Sequence, residues 1–449
     1  MSNPILQSNQ SSAVVATVNE SQTMSPWVYN ETNRLVVPHA MQVLPINHSS
    51  GTVGPSKTIS FDIAKNGLVQ GLWLKVLLPC DTNPTETDNP IQTEAGGVVV
   101  PAGVGVNTRG YTSLGLLKLI QEVRLTTSGR IVESLDRYQI LARIADLPIG
   151  QRQAVLNAYR CGLDPEQGAS GENYEACLWL PFYFSKDPSR YHLNSNFQEP
   201  FQVQVSFTDC ASVFHTGSAY TSHDPQDCDL LVHYRQLDEK SINEVISKNF
   251  GDGLLSQIVH ISKKEATKSF TMGDTILNST QATSKAQSIE FELKENDAIQ
   301  SMYIIVEHKF NSAGSLAVAM KDEAPVELME VELKFNNTSV VKVPGEFLRY
   351  FGRWGNHGMC GDGSDSTTGQ SPTRYVYKLD FGLDYAKGAF SNVVALREIS
   401  NPKLLIKYKP HLSAEATGSV SYNCHVIYDT ATFLSTSSAT GRVNLSISS

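Results

Sequence analysis

The chain carries one pattern twice, and that repetition limits the folds open to it. Residues 57–77 read KTISFDIAKNGLVQGLWLKVL, and residues 287–307 read QSIEFELKENDAIQSMYIIVE. Without a gap, Ile59 falls on Ile289, Phe61 on Phe291, Asn66 on Asn296, Gln70 on Gln300 and Val76 on Val306. Each copy reads as an alternating strand, a polar turn and a second apolar strand. Self-similarity at a long spacing marks a duplicated structural unit.

Further matches follow in the same order. QEVRL at 121–125 pairs with MEVEL at 329–333, PFQVQVSF at 200–207 with PKLLIKY at 402–408, and CDLLVHY at 228–234 with CHVIY at 424–428. In both copies the second segment leads into a small polar turn and a short apolar strand. Any two β domains share alternation; a common order over four segments points to duplication. The first copy has longer intervals between segments, so it carries the larger loops.

Composition then excludes several classes. The 449 residues suffice for two or three domains, and a hydrophobic content of 41% supports real cores. The net charge is −9, with no block of Lys and Arg. That argues against direct nucleic-acid binding, which needs clustered positive charge. The seven cysteines are scattered, with no CxxC pair, and read as free thiols of a reducing compartment rather than as zinc ligands. The first residues, MSNPILQSNQ, lack the basic and apolar regions of a secretory leader. No apolar run approaches the ~20 residues that span a bilayer. Triplets such as Asn30-Glu31-Thr32 therefore read as chance glycosylation matches.

Residues 1–50 read as a polar arm with apolar islands, 51–237 as a first β unit, 238–256 as a partly helical linker and 257–449 as a second β unit. Long loops are predicted between residues 80 and 113, at 262–285 and at 352–373. Tyr138, Leu141, Ala142 and Ala145 sit at helical spacing and predict a helix. A break at Pro148-Ile149-Gly150 follows, then a second short helix to Tyr159. EACLWLPFYF at 175–184 predicts one buried strand, and RVNLSIS at 442–448 the last strand. Two units of this size with long loops fit a sandwich layout.

LWLPFYFSKDP at 178–188 resembles the "LPFWFSRDP"-type segment of the major capsid proteins of large eukaryotic DNA viruses. FDIAKNG at 61–67 is similar to that family's opening strand and turn, and LKFNN at 333–337 to its hairpin. Residues 375–381 with Asn392 resemble its late strand region, without its Pro-Ser-Gly. Residues 190–200 replace its usual apolar stretch. The resemblance runs from about residue 57 to the C-terminus and extends to tailless membrane-containing phages and adenovirus hexons. It implies an all-β fold of two tandem eight-stranded jelly-roll sandwiches with long loops and a few short helices. It also implies a structural role in the virion. Homotrimers would form pseudo-hexameric capsomers that contact neighbouring capsomers and tile an icosahedral shell. Loops would form outer towers, and the arm would lie near minor capsid or vertex proteins or an internal membrane.

The search for chemistry points to no catalytic, cofactor or metal site. His215, His223 and His233 lie near Asp224, Asp227 and Asp229, but the spacing matches no metal motif. Asp362-Gly363-Ser364-Asp365 lacks the length and terminal Glu of a calcium loop. Gly103-Val104-Gly105 precedes no strand-helix unit and so is no phosphate loop. Cys228 and Cys424 are equivalent strand positions and read as core residues rather than nucleophiles. Trp73 and Trp179 sit in apolar strands and read as core; Trp27 is the remaining tryptophan of the arm, and Trp354 falls in a loop. A virion spike, a vertex protein or a glycan-binding jelly-roll protein is the rival reading, with Trp354 as its test position. An enzyme on a tandem sandwich is a second rival and needs clustered His or paired carboxylates.

Overall fold

A computed structural model describes residues 40–78, 115–147, 151, 155, 174–186, 193–195, 200–208, 225–236, 254–272, 287–294, 298–309, 326–348, 359–360, 375–381, 394–410, 420–437 and 443–446. The strands of the first half are β1 (Ala40–Asn47), β2 (Ser50–Gly51), β3 (Thr58–Asp62), β4 (Leu68–Leu78), β5 (Ile120–Thr127), β6 (Arg130–Asp136), β7 (Tyr174–Leu180), β8 (Leu193–Asn194), β9 (Phe201–Phe207) and β10 (Asp227–Gln236). Among them lie the helices α1 (Gly115–Leu119), α2 (Arg137–Ala145) and α3 (Tyr183–Lys186). The second half holds β11 (Leu254–Lys264), β12 (Lys268–Met272), β13 (Gln287–Glu292), β14 (Ala298–Lys309), β15 (Val326–Phe335), β16 (Thr338–Pro344), β17 (Met359–Cys360), β18 (Tyr375–Asp380), β19 (Val394–Ala395), β20 (Lys403–Pro410), β21 (Val420–Ser437) and β22 (Val443–Ser446).

Each half builds two antiparallel sheets. In the first they run β1-β10-β4-β7, with β8 on β4, and β2-β3-β9-β5-β6. In the second they run β11-β21-β14-β18-β17, with β12 and β22 on β21 and β19 on β14, and β13-β20-β15-β16. Equivalent strands occupy equivalent places: β10 lies between β1 and β4, and β21 between β11 and β14. Apart from the consecutive pairs β2-β3, β5-β6, β15-β16, β17-β18 and β21-β22, strands adjacent in space are distant in sequence, which is the jelly-roll order. The protein is two tandem jelly rolls.

The repeat reaches the irregularities. Across β4 and β10, Gly71 faces His233 and Val69 faces Tyr234, so Gln70 is skipped. Across β14 and β21, Ser301 faces Asp429 and Ile299 faces Thr430, so Gln300 is skipped. The Gln70–Gln300 identity therefore marks one β-bulge kept in both copies. Gln121 and Met329 are skipped in the same way against β9 and β20. So are Val132 of β6 and Val340 of β16. The hairpins beside them turn on two residues with positive φ, Ser128-Gly129 and Asn336-Asn337, as tight right-twisted hairpins require.

Alternation sets the core. In β9, Phe201, Val203, Val205 and Phe207 are buried while Gln202, Gln204 and Ser206 are half-exposed. Phe61 in the first roll and Phe291 in the second are buried at the repeat's equivalent positions. Each such side chain contributes about 1.5–3 kcal/mol on leaving water. The first core does not stop at its own roll: Val259, Ile261, Tyr303, Ile305, Val376 and Ile427 of the second half belong to it.

Several expectations shift. The strand predicted through Phe184 stops at Leu180, because Pro181 has no N–H for the ladder, and α3 follows. The loop predicted at 262–285 begins as strand: β11 runs to Lys264 and β12 follows, both paired with β21. Residues 40–47, read as part of the arm, form β1 along β10, with Leu44 and Ile46 packed on the core. The helix expected from Tyr138 is α2; the second helix, apart from residues 151 and 155, and the linker up to residue 253 lie outside the described residues.

Candidate functional site: a buried polar seam

Of the loose His/Asp group, His233, Asp227 and Asp229 are described, all on β10. His233 and Asp229 point away from the sandwich interior, where Cys228, Leu230 and Val232 point inward. Burial, and then the Arg235 charge, lower the His233 pKa. Among the described residues no three metal-ligating side chains come together. His215, His223, Asp224, Gly103, Gly105, Asp362, Asp365, Trp27 and Trp354 lie outside the described residues.

Cys228 and Cys424 sit opposite Val76 and Val306 in equivalent core positions. Burial raises both thiols, Cys424 to about 12. A nucleophilic cysteine needs the opposite shift. Trp73 and Trp179 face each other across β4 and β7. They lie on the face opposite Leu72, Leu74, Leu178 and Leu180, yet Trp179 is buried as part of the first core and Trp73 packs half-buried against it, as expected of core residues.

The densest polar chemistry lies where the rolls meet. Asp136 caps α2 directly after β6: its carboxylate accepts from the N–H groups of Tyr138 and Gln139, and Gln139 Oε1 accepts from the Asp136 N–H. This capping box holds the helix at the end of the sandwich. The buried side of α2 carries Gln139, Ile140, Arg143 and Ile144. It packs towards β11 and β21 of the second roll.

Three polar groups bridge the join. Arg143 Nη2 lies 3.2 Å from Asp429 Oδ1 and 3.8 Å from Glu133 Oε1, and donates to the His260 carbonyl at 2.7 Å. Glu133 accepts from the Tyr183 N–H at 2.7 Å and the Ser262 N–H at 3.4 Å. Gln139 Nε2 donates to the Ser262 carbonyl at 2.9 Å. Further along, Lys378 Nζ lies 2.9 Å from Asp146 and 3.1 Å from Asp380, and the Tyr303 hydroxyl donates to Asp146. At the rim, Lys264 pairs with Asp136 at 2.6 Å, while the Tyr138 ring stacks on His425 with centroids 3.8 Å apart.

Burial raises Glu133 to about 7, opposed by the Arg143 charge and the two N–H donors. Burial lowers Lys378 and Arg143, but facing carboxylates outweigh it and both end above their ordinary values. Buried ion pairs add little net stability, yet removing one partner is costly. The seam is thus a lock: any other setting of roll on roll would leave a charge buried without its counter-ion. Sequence reasoning does not find it. The available signal is charge inside apolar strands, as with Asp429 in CHVIYDTATF and Lys378 in YVYKLD.

The family described as "Major capsid protein N-terminus" matches residues 29–229. No curated protein matches the chain by sequence. VP54 of PBCV-1, solved and fitted into a reconstruction of the virophage Sputnik, is similar with a TM-score of 0.63 at 12% identity, over 92% of this chain and 98% of that one. The mavirus major capsid protein is similar at 0.58 and 11% identity, over 100% and 97%. The Faustovirus major capsid protein is similar at 0.57 and 10% identity, over 90% and 92%. The likeness to these structures is one of fold.

Proposed function

We propose, from the premise that the chain is a double jelly-roll protein of the major capsid protein lineage, that it is the main shell subunit of an icosahedral virion and works as a homotrimer. The observation that carries this reading is the duplication itself, repeated down to three bulges. Three chains of two such rolls supply six near-identical sides, so one gene product can meet six neighbours in a lattice. The contact within the chain is head-to-tail, a flank of one roll against a sheet face of the next. Head-to-tail contacts close into rings when the rotation allows. Its role is geometric rather than catalytic, and neighbouring capsomers are its main partners. The arm would face the shell interior, against minor proteins or an internal membrane.

Light scattering on the purified full chain tests this. The expected mass is three times 49.2 kDa, with hexagonal outlines in electron images. A monomer at moderate concentration would overturn it. A vertex or spike role predicts the same fold at low copy number in the virion, which quantitative mass spectrometry separates.

A further inference from the structure

Each roll has a flank and a sheet face. The seam uses the flank of the first roll, β6 with α2, and the outer face of the second roll's sheet. The flank of the second roll, β16 with the helical residues 345–348, and the outer face of β1-β10-β4-β7 remain. If both were plain solvent surface, positions equivalent to the buried seam should have turned polar.

Four of them are apolar and exposed instead. Met41, Val43, Val340 and Phe347 are four of the six exposed large hydrophobics among the described residues, between 52% and 60% exposed. Strand register gives their counterparts in the other roll. Val43 faces His233 as Ser262 faces Asp429, and Met41 faces Arg235 as His260 faces Ala431. Val340 is the bulge residue equivalent to Val132. Phe347 lies three residues past Pro344 as Gln139 lies three past Asp136, and those two face Glu330 and Glu122 at matching places. The counterparts His260, Ser262, Val132 and Gln139 are 0% to 6% exposed.

We propose that the Val340–Phe347 flank of one chain docks on the Met41–Val43 face of a second copy, as an intermolecular copy of the internal seam. This rests on the trimer reading and names where its contacts lie. The chemistry is exchanged between the two seams. Val341 replaces Glu133, His233 replaces Asp429, Leu231 replaces Ile427, and Trp73 and Trp179 replace Tyr303 and Lys378. The internal seam is ionic; the external one is apolar and aromatic around Val43 and Trp73, with Arg235 standing where the internal seam has Ala431. A flank placed on the wrong face would bury Glu133 and Arg143 against tryptophan, so the exchange sets the head-to-tail direction.

Gln139 touches the main chain of Ser262, so the side chain at 347 should meet residue 43 of the next copy. The test treats the full-length Val43→Cys, Phe347→Cys double variant with a short bismaleimide. The expected result is a covalent three-chain band, absent from either single variant, which control for the native thiols. Both positions are exposed, so the fold is expected to persist, as checked by circular dichroism. A second variant, Phe347→Asp, should lose the trimer by light scattering while keeping that spectrum. A wild-type trimer with neither the band nor the loss would overturn the seam assignment and leave the trimer standing. A wild-type monomer would overturn both.

Discussion

Replacing Arg143 by alanine is expected to destabilise the protein by about 3–5 kcal/mol, the usual cost of breaking a buried ion pair from one side. The change removes the cation 3.2 Å from Asp429 and 3.8 Å from Glu133, and it deletes the bond to the His260 carbonyl. Asp429 is left 1% exposed with a buried negative charge. Urea unfolding at neutral pH measures the loss, and its shape carries a second result. The first core includes second-roll residues across the seam, so the wild type should unfold in one transition. The variant should show two, as the rolls separate before either melts. Removing Glu133 and Asp429 as well, by leucine, should recover much of the loss, because no charge of the Arg143 cluster then remains buried. A loss below about 1 kcal/mol for Arg143→Ala, in the range of an exposed pair, would mean that water reaches the cluster and that the seam is no lock.

Much of the fold is legible in the sequence, because a repeat constrains local pattern and order together. Ile59, Phe61, Ile289 and Phe291 stand in the core as their alternation predicts. The Gln70–Gln300 identity has a cause that pattern alone does not supply: both side chains are buried at a bulge. The seam is not legible, for a definite reason. Alternation says which residues leave the core face, but not what covers the other face. In β21, Cys424, Val426 and Tyr428 enter the second core, while Ile427 on the opposite face joins the first. The run therefore reads as a uniformly apolar strand with a stray Asp429. On α2, helical spacing picks out Tyr138, Leu141, Ala142 and Ala145; Gln139 and Arg143, which make the seam bonds, look like its solvent side. Polar residues become core residues only when a partner surface supplies their bonds, and that partner is more than a hundred residues away.

The seam should also weaken as pH rises, through Glu133. Burial raises its folded pKa to about 7 from an ordinary 4.5. Between those values the folded chain holds a proton that the unfolded chain has released. Stability from this group is therefore complete below about pH 4.5 and lost as pH rises through about 7. By linkage the difference is on the order of 3 kcal/mol. Arg143 and Asp429 face the carboxyl from α2 and β21, and Tyr183 and Ser262 supply N–H groups from α3 and β11. Other carboxylates titrate over the same range, so the informative quantity is the difference between wild type and Glu133→Gln. Glutamine is neutral at every pH and keeps an oxygen for the Tyr183 N–H. The two proteins should unfold at similar urea midpoints at pH 5, and the variant should be the more stable at pH 8. A difference that stays flat from pH 5 to pH 8 would mean that Arg143 holds Glu133 ionised throughout. In that case the guanidinium would serve two carboxylates at once, and the Arg143→Ala loss should rise to the top of its expected range.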